Sequence, residues 1–94
     1  MPSWSAFNLA KHFGKHGRKL GCATILHYEQ SSLTTIANGK RFTYEDSGTP
    51  RVGYYDGGTN RLTVVSDDEL AIITHFPPTG GERYCRNRSQ STYV

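Results

Sequence analysis

The sequence predicts an α+β protein in which two N-terminal helices are followed by a four-stranded antiparallel β-meander. Residues 1–39 carry apolar side chains at helical spacing, whereas the apolar runs after Gly39 are short and alternate with polar residues. Glycine, proline, asparagine and aspartate collect between these later runs, as they do in the turns of a meander. With 94 residues, of which 35% are hydrophobic, the chain fits one domain spanning residues 1–94.

The first helix is predicted from about Trp4 to Lys19, with Ser3 as its N-cap. Its apolar side carries Phe7, Leu9, Ala10 and Phe13, and its other side carries His12, His16, Lys11, Lys15 and Lys19. A second helix is predicted from about Thr24 to Ala37, and Asn38-Gly39 provides its end signal.

Four strands are predicted at residues 41–45, 51–56, 61–66 and 70–76. The connections are short, so neighbouring strands should pair in antiparallel fashion. The last strand is the most apolar and is expected at the centre of the sheet, and Pro77-Pro78 ends it because proline cannot extend a ladder. Residues 79–94 are predicted to form an irregular tail.

Positive charge is concentrated near the N-terminus. Residues 1–40 hold five lysines or arginines and a single acid, Glu29, whereas residues 45–82 hold seven acids and two arginines. Such segregation creates a positive surface that attracts phosphate polymers, so RNA is the favoured partner, although an ordinary solvated helix face is the alternative. Arg86 and Arg88 are either further phosphate contacts or part of a solvated tail. No apolar run approaches the ~20 residues of a membrane span, so no membrane partner is expected.

The densest group of reactive side chains lies in the first helix. His12 and His16 are four residues apart and are expected on one face beside Lys15 and Lys19. A histidine pair at this spacing can hold zinc, but a third ligand is required and the lysines would repel a cation, so we expect no metal and no other cofactor. The competing chemistry is metal-free RNA cleavage, which needs a base, an acid and cations around the phosphate. Histidine can serve as base or acid because its ordinary pKa is about 6.5.

A second group, Thr74-His75-Phe76, ends the last predicted strand. Strand alternation places Thr74 and Phe76 on one face and His75 on the other. A hydroxyl and an aromatic ring at a strand end can bind a phosphate and stack on a base, and further stacking candidates are Tyr54, Tyr55, Tyr84 and Tyr93. A strand that ends in core residues is the alternative.

Several of these motifs resemble a known family. Lys15-His16-Gly17-Arg18-Lys19-Leu20-Gly21 resembles the Lys-His segment of the colicin D-type tRNA-cleaving toxins and related contact-dependent inhibition toxins, within the barnase–EndoU–colicin–RelE-like group. The stretch from Gly53 to Asn60 resembles the hairpin of that family. Thr74-His75-Phe76 resembles its hydroxyl residue followed two positions later by an aromatic one. The similarity extends over about residues 9–78.

The resemblance implies roles for individual residues. His16 would be the catalytic histidine, Lys15 its phosphate-contacting neighbour, Thr74 the hydroxyl and Phe76 the aromatic. Phe13 stands where the colicin D pattern has a lysine, which leaves the detailed mechanism open. The resemblance also implies tRNA as the favoured substrate and an immunity protein or antitoxin, often acidic, as a partner. Action in the cytoplasm is implied, either as a free chain or as the C-terminal tip of a longer secreted protein.

The sequence therefore predicts a metal-independent endoribonuclease toxin that leaves a 2′,3′-cyclic phosphate. His16 is the leading base or acid, and His12 or His75 is its counterpart. The residues expected to bind phosphate are Lys11, Lys15, Arg18 and Lys19. The alternative is a non-catalytic RNA-binding or protein-interaction module that uses the same basic helix.

Overall fold

The computed structural model describes residues 1–89, which form three α-helices and a four-stranded antiparallel sheet. The helices are α1 (Ala6–His16), α2 (Ile25–Asn38) and α3 (Glu82–Arg88), and the strands are β1 (Lys40–Asp46), β2 (Thr49–Asp56), β3 (Arg61–Ser66) and β4 (Ile72–Phe76). The strand order β1-β2-β3-β4 is that of a meander. The predicted α+β class and antiparallel meander are thus confirmed, and α3 is an addition that the sequence analysis did not predict.

Helix α1 is shorter than predicted at both ends. Its N-cap is Ser5, whose side chain accepts a hydrogen bond from the backbone N–H of Asn8 at 3.2 Å. After Gly17 the chain tightens into a 3₁₀ turn, Arg18–Leu20, which ends at Gly21 in the left-handed conformation with φ 70°. Ser3, the expected cap, instead forms a parallel bridge with Ala71.

Helix α2 covers one face of the sheet with a surface rich in hydroxyl groups. Thr24 caps it by accepting a hydrogen bond from the backbone N–H of His27 at 3.1 Å. Its buried residues are Tyr28, Ser31, Ser32 and Thr35. Ile36 adds an apolar contact with the core cluster on that face, which contains Val52 and Val65. Because most of the inward side chains are polar, they must find hydrogen-bond partners inside the protein.

The turn between β1 and β2 contains only two residues. Ser47 and Gly48 both have positive φ, 51° and 84°. Two consecutive residues with positive φ are characteristic of the type I′ turn, whose twist matches that of a hairpin. Strands β1 and β2 therefore include residues 46, 49 and 50, which were predicted to lie in the loop between them.

Strand β4 lies at the edge of the sheet, so the prediction that it is central was wrong. Its apolar residues are covered by α1 and by the N-terminal segment instead of by another strand. A register shift opposite Val64 and Val65 interrupts its alternation. As a result, Ile73 and Phe76, which are three residues apart, pack in the same cluster, whereas Ile72 packs in the cluster of the opposite face, beneath α2.

Helix α3 corrects the prediction of an irregular tail over residues 79–94. It follows Gly80 and Gly81, whose φ angles of 88° and 56° turn the chain back toward the sheet. Cys85 is 0% exposed and packs against the sheet face opposite α2, so burial of this side chain stabilises a helix of only 7 residues. The last part of the predicted tail, residues 90–94, lies outside the residues that the structure describes.

The two cysteines occupy different core clusters and both are free thiols. Cys22 packs with Leu20 and Tyr28, and Cys85 packs in the cluster under α3.

Within residues 1–89, no helix combines the length and the apolar character needed to cross a membrane.

Candidate catalytic site at the edge of the sheet

The candidate site forms where α1 packs along the edge strand β4. The helix presents His12 and His16 from successive turns, and the strand presents Thr74 and Phe76. These four residues, all predicted from the sequence as site residues, are in direct contact: His12 contacts Thr74, and His16 contacts Phe76. The histidines therefore lie on the inward side of α1, not on a fully solvated basic face as the helical periodicity suggested.

His12 is held by a hydroxyl and by aromatic rings. Its Nδ1 lies 3.1 Å from Oγ1 of Thr74. Its ring stacks on that of His16, with centroids 6.0 Å apart, and contacts Trp4 at 5.7 Å. Trp4 is itself fixed because its indole N–H donates to Oγ of Ser32 at 2.8 Å. Burial, followed by the charges of nearby lysines, lowers the pKa of His12. This set of contacts leaves the ring few orientations.

His16 is the more strongly perturbed of the pair. Its ring packs against Phe76 with centroids 5.6 Å apart, and its Nδ1 is buried without a hydrogen-bond partner among residues 1–89. Burial lowers its pKa to about 4, and the charges of Lys15 and Lys19 contribute in the same direction. His16 is therefore neutral at pH 7. Perturbed pKa values and unsatisfied polar atoms are both concentrated at functional sites.

The basic side chains around the pair remain in solvent. These are Lys11, Lys15, Arg18 and Lys19, and all are exposed. None of the four forms an ion pair with an acid within residues 1–89. Their charges are thus available to an external anion, and those of the three lysines also make protonation of the neighbouring histidines unfavourable.

His75 belongs to the core, which corrects its assignment as a catalytic candidate. It is 0% exposed, and both ring nitrogens are occupied. Nδ1 lies 2.8 Å from Oγ1 of Thr63 and 3.2 Å from the carbonyl oxygen of Leu62, while Nε2 lies 2.8 Å from Oγ of Ser31. An RNA phosphate cannot reach a ring in this position, so His75 is not available as an acid or base.

Tyr54, a predicted base-stacking residue, is not brought to the site. It packs in the core cluster on the α2 side of the sheet, whereas Phe76 packs in the cluster of the opposite face. Its hydroxyl donates to the carboxylate of Glu69, which also pairs with Arg41 at 3.3 Å. Tyr54 therefore has a structural role at the β1–β2 side.

The cluster extends through α3 to Tyr84 and Arg88, which the sequence analysis named as a stacking candidate and a candidate phosphate contact without connecting them to the histidine pair. The ring of Tyr84 meets that of Phe76 edge-on, with centroids 5.8 Å apart. The guanidinium of Arg88 lies 4.4 Å from the centroid of the Tyr84 ring. Residues four apart are neighbours on a helix, so the spacing of Tyr84 and Arg88 predicts their contact only if residues 82–88 are known to be helical.

Among residues 1–89, no group of three or more His, Cys, Asp or Glu side chains is placed to hold a metal ion. The side chains of the candidate site at the edge of β4 are imidazole, hydroxyl, aromatic and ammonium groups. Comparison of the sequence with protein-family models and with curated proteins found no match.

Proposed function

We propose that this chain is a metal-independent endoribonuclease of the colicin D-like toxin type. The observation that carries the proposal is the contact between the two predicted motifs. His12 and Thr74, which are 62 residues apart in sequence, lie 3.1 Å apart, and His16 packs on Phe76 beside them. Two imidazoles, a hydroxyl and an aromatic ring thus meet beneath exposed cationic side chains.

The reaction that fits this set of groups is attack of a ribose 2′-hydroxyl on the adjacent phosphate. Neutral His16 removes the 2′ proton, and the 2′-oxygen forms a bond to phosphorus. The bond between phosphorus and the 5′-oxygen breaks, and the imidazolium of His12 delivers a proton to the departing oxygen. The products are a 2′,3′-cyclic phosphate and a 5′-hydroxyl end. Lys15 and the neighbouring cations stabilise the negative charge that develops on the phosphate.

The pKa of His16 favours its role as the base, whereas that of His12 restricts the pH range in which it can act as the acid. His16, with its pKa lowered to about 4, is in the basic form through the neutral range. His12 must be protonated to act as the acid, and its pKa is also below 6.5 in the free protein, chiefly through burial. The kcat/KM of the free protein should therefore be greatest on the acidic side of pH 6.5 and fall as the pH rises through the pKa of His12. A bound phosphate raises both pKa values, so kcat should peak at a higher pH.

The substrate and partner follow from the family resemblance and from the exposed charges. We propose tRNA as the substrate and an acidic immunity protein or antitoxin as the partner, because the exposed cations of α1 and of the turn after it can attract either polyanion. The proposed place of action is the cytoplasm of a target cell, where tRNA is found.

The test is incubation of the purified chain with total tRNA, with and without EDTA. We expect EDTA-resistant fragments that end in a 2′,3′-cyclic phosphate. His16→Gln should slow cleavage roughly 100- to 10,000-fold, which is the usual contribution of one general acid or base. His27→Gln is the matched control because His27 is an exposed histidine of α2, whereas the site residues belong to α1 and β4. Circular dichroism would verify that both variants are folded.

Two results would reject the proposal: equal cleavage by the His16 and His27 variants, or RNA that stays intact with every preparation. Intact RNA that is nevertheless shifted in gels would support the alternative, a non-catalytic RNA-binding module. In that case replacement of Lys15 and Lys19 would weaken binding, whereas His16→Gln would not.

A further inference from the structure

We propose that Tyr84 and Arg88 of α3 form a subsite for an unpaired nucleotide, so that the chain acts on single-stranded segments of RNA. The inference rests on the proposed function, because it takes the histidine pair as the position of the scissile phosphate. It adds a substrate class and two residues that neither the basic helix nor the Thr74-His75-Phe76 motif contains.

The geometry is a continuous row of side chains that leads away from the histidines. From His16 the row continues to the ring of Phe76, with centroids 5.6 Å apart, and from there to Tyr84 at 5.8 Å. The guanidinium of Arg88 completes it, 4.4 Å from the centre of the Tyr84 ring. The row therefore begins at a proton-transfer group, passes over aromatic surface and ends at a positive charge. A single RNA strand offers the complementary order of phosphate, base and next phosphate.

Among residues 1–89, no acid neutralises the charge of Arg88. The side chain is exposed and forms no ion pair with an acid within residues 1–89. Arg86, on the same helix, differs in this respect because it pairs with Glu82 at 3.2 Å. Since Arg88 is already stacked on Tyr84, its guanidinium has a defined position at little further entropic cost, and its N–H groups can bind a phosphate.

A second cation lies on the same side of the sheet. Arg51 lies directly opposite Tyr44 in the β1–β2 register, and Tyr44 packs in the core cluster that Tyr84 also contacts. Nε of Arg51 is buried and has no hydrogen-bond partner among residues 1–89. Two arginines on the face that carries Phe76 and Tyr84 provide both elements of single-strand recognition, which are positive charge along the backbone and aromatic surface for bases.

This arrangement selects for unpaired RNA. An aromatic ring can stack on a base only if the face of that base is not already covered, and bases in a duplex are covered on both faces. The base edges of A-form RNA are also hard to reach through its deep and narrow major groove. A loop or single-stranded end avoids both obstacles, so the subsite should bind a loop nucleotide next to the cleaved bond.

The experiment measures binding separately from cleavage. A fluorescein-labelled RNA with 2′-O-methyl groups has no attacking hydroxyl, so anisotropy reports its affinity alone, and it is measured as a single strand and as a duplex with its complement. We expect the single strand to bind more tightly to the wild-type chain. Tyr84→Leu should weaken single-strand binding roughly 5- to 150-fold, whereas Tyr84→Phe, which keeps the ring, should bind nearly as the wild type does. The Phe variant also controls for folding.

Arg88→Gln should reduce the slope of log Kd against log salt by about 1, since one phosphate contact is lost. Arg86→Gln is the matched control and should leave that slope unchanged. Equal slopes for the two variants, or equal wild-type affinity for single strand and duplex, would overturn the inference. If the binding differences appear but the unmodified RNA is never cleaved, the proposed nuclease function fails and the subsite stands. If the unmodified RNA is cleaved but Tyr84→Leu and Arg88→Gln bind RNA as the wild type does, the nuclease function stands and the subsite fails.

Discussion

Acidification from pH 7 to pH 4 should destabilise the fold through His75. Its Nδ1 faces the carbonyl oxygen of Leu62, which can only accept a hydrogen bond, so Nδ1 carries the proton of the neutral ring. Nε2 then accepts from Ser31, whose Oγ in turn accepts from Nη1 of Arg61 at 2.6 Å. A second proton on the ring would turn Nε2 into a donor, and it would add a positive charge near Arg61 in the core.

The magnitude follows from the pKa. Burial lowers the pKa of His75 from 6.5 to about 4 in the folded protein, so between these values the unfolded chain binds more protons than the folded one. The free energy of unfolding therefore decreases as the pH falls through this window and is unaffected by His75 well above it. Relative to pH well above 6.5, proton linkage at His75 lowers the free energy of unfolding by about 1 kcal/mol at pH 6, about 2 kcal/mol at pH 5 and about 3 kcal/mol at pH 4. Against the typical ~5–15 kcal/mol of a small domain this is a large effect.

The assay is urea unfolding at several pH values, followed by the fluorescence of Trp4, the only tryptophan of the chain. His12, His16 and the carboxylates also titrate, so the quantity of interest is the difference in pH dependence between the wild type and His75→Gln, which lacks the titrating ring. An NMR titration of the His75 ring in the folded wild type gives the same pKa without a variant. Parallel pH profiles of the two proteins, or a folded-state pKa near 6.5, would refute the assignment of His75 as a neutral core histidine.

Two further predictions concern packing and the orientation of His12. Gly53→Ala should lower the free energy of unfolding by about 1–3 kcal/mol, because the new Cβ would lie 2.6 Å from Cε1 of the buried Phe42 ring. Gly14→Ala should raise the free energy of unfolding by about 0.5–1 kcal/mol, because the space around Gly14 in α1 is open. Urea unfolding of the two variants and the wild type measures both effects. Thr74→Val removes the hydroxyl beside His12, so it should lower kcat/KM roughly 5- to 30-fold and change the pH profile of kcat/KM. Thr74→Ser should restore the value and the pH profile. Unchanged kinetics in the valine variant would contradict a positioning role for Thr74.

Local signals were sufficient to predict most of the fold. The end of α2 was indicated by Asn38-Gly39, and β3 matches its predicted bounds because the turn residues before it and Asp67 after it are strong signals. Helix α3 had no such signal, since Gly81 provides no side-chain cap and the helix depends on the burial of Cys85 against a distant sheet. A single sequence does not show which distant surface a short segment will cover.

The candidate site was predicted in part, for a related reason. Helical spacing brought His12 and His16 together, and strand alternation separated Thr74 and Phe76 from His75. Neither pattern could show that the histidine side of α1 would face β4. That outcome depends on tertiary packing: Phe7 is left 75% exposed, while the half-buried histidines contact the strand.

The core position of His75 connects stability to the proposed chemistry. The hydroxyl of Tyr28 donates to the backbone carbonyl of His75 at 2.5 Å, and Ser31 and Thr63 hold its ring, so α2 and β3 together fix the middle of the Thr74-His75-Phe76 segment. Because side chains alternate along a strand, fixing His75 on the core side also fixes its two neighbours on the side of α1. An edge strand lacks a second neighbouring strand to hold it, and this buried network supplies the missing restraint. Protonation of His75 should therefore loosen the strand that orients His12 and His16 before it unfolds the chain.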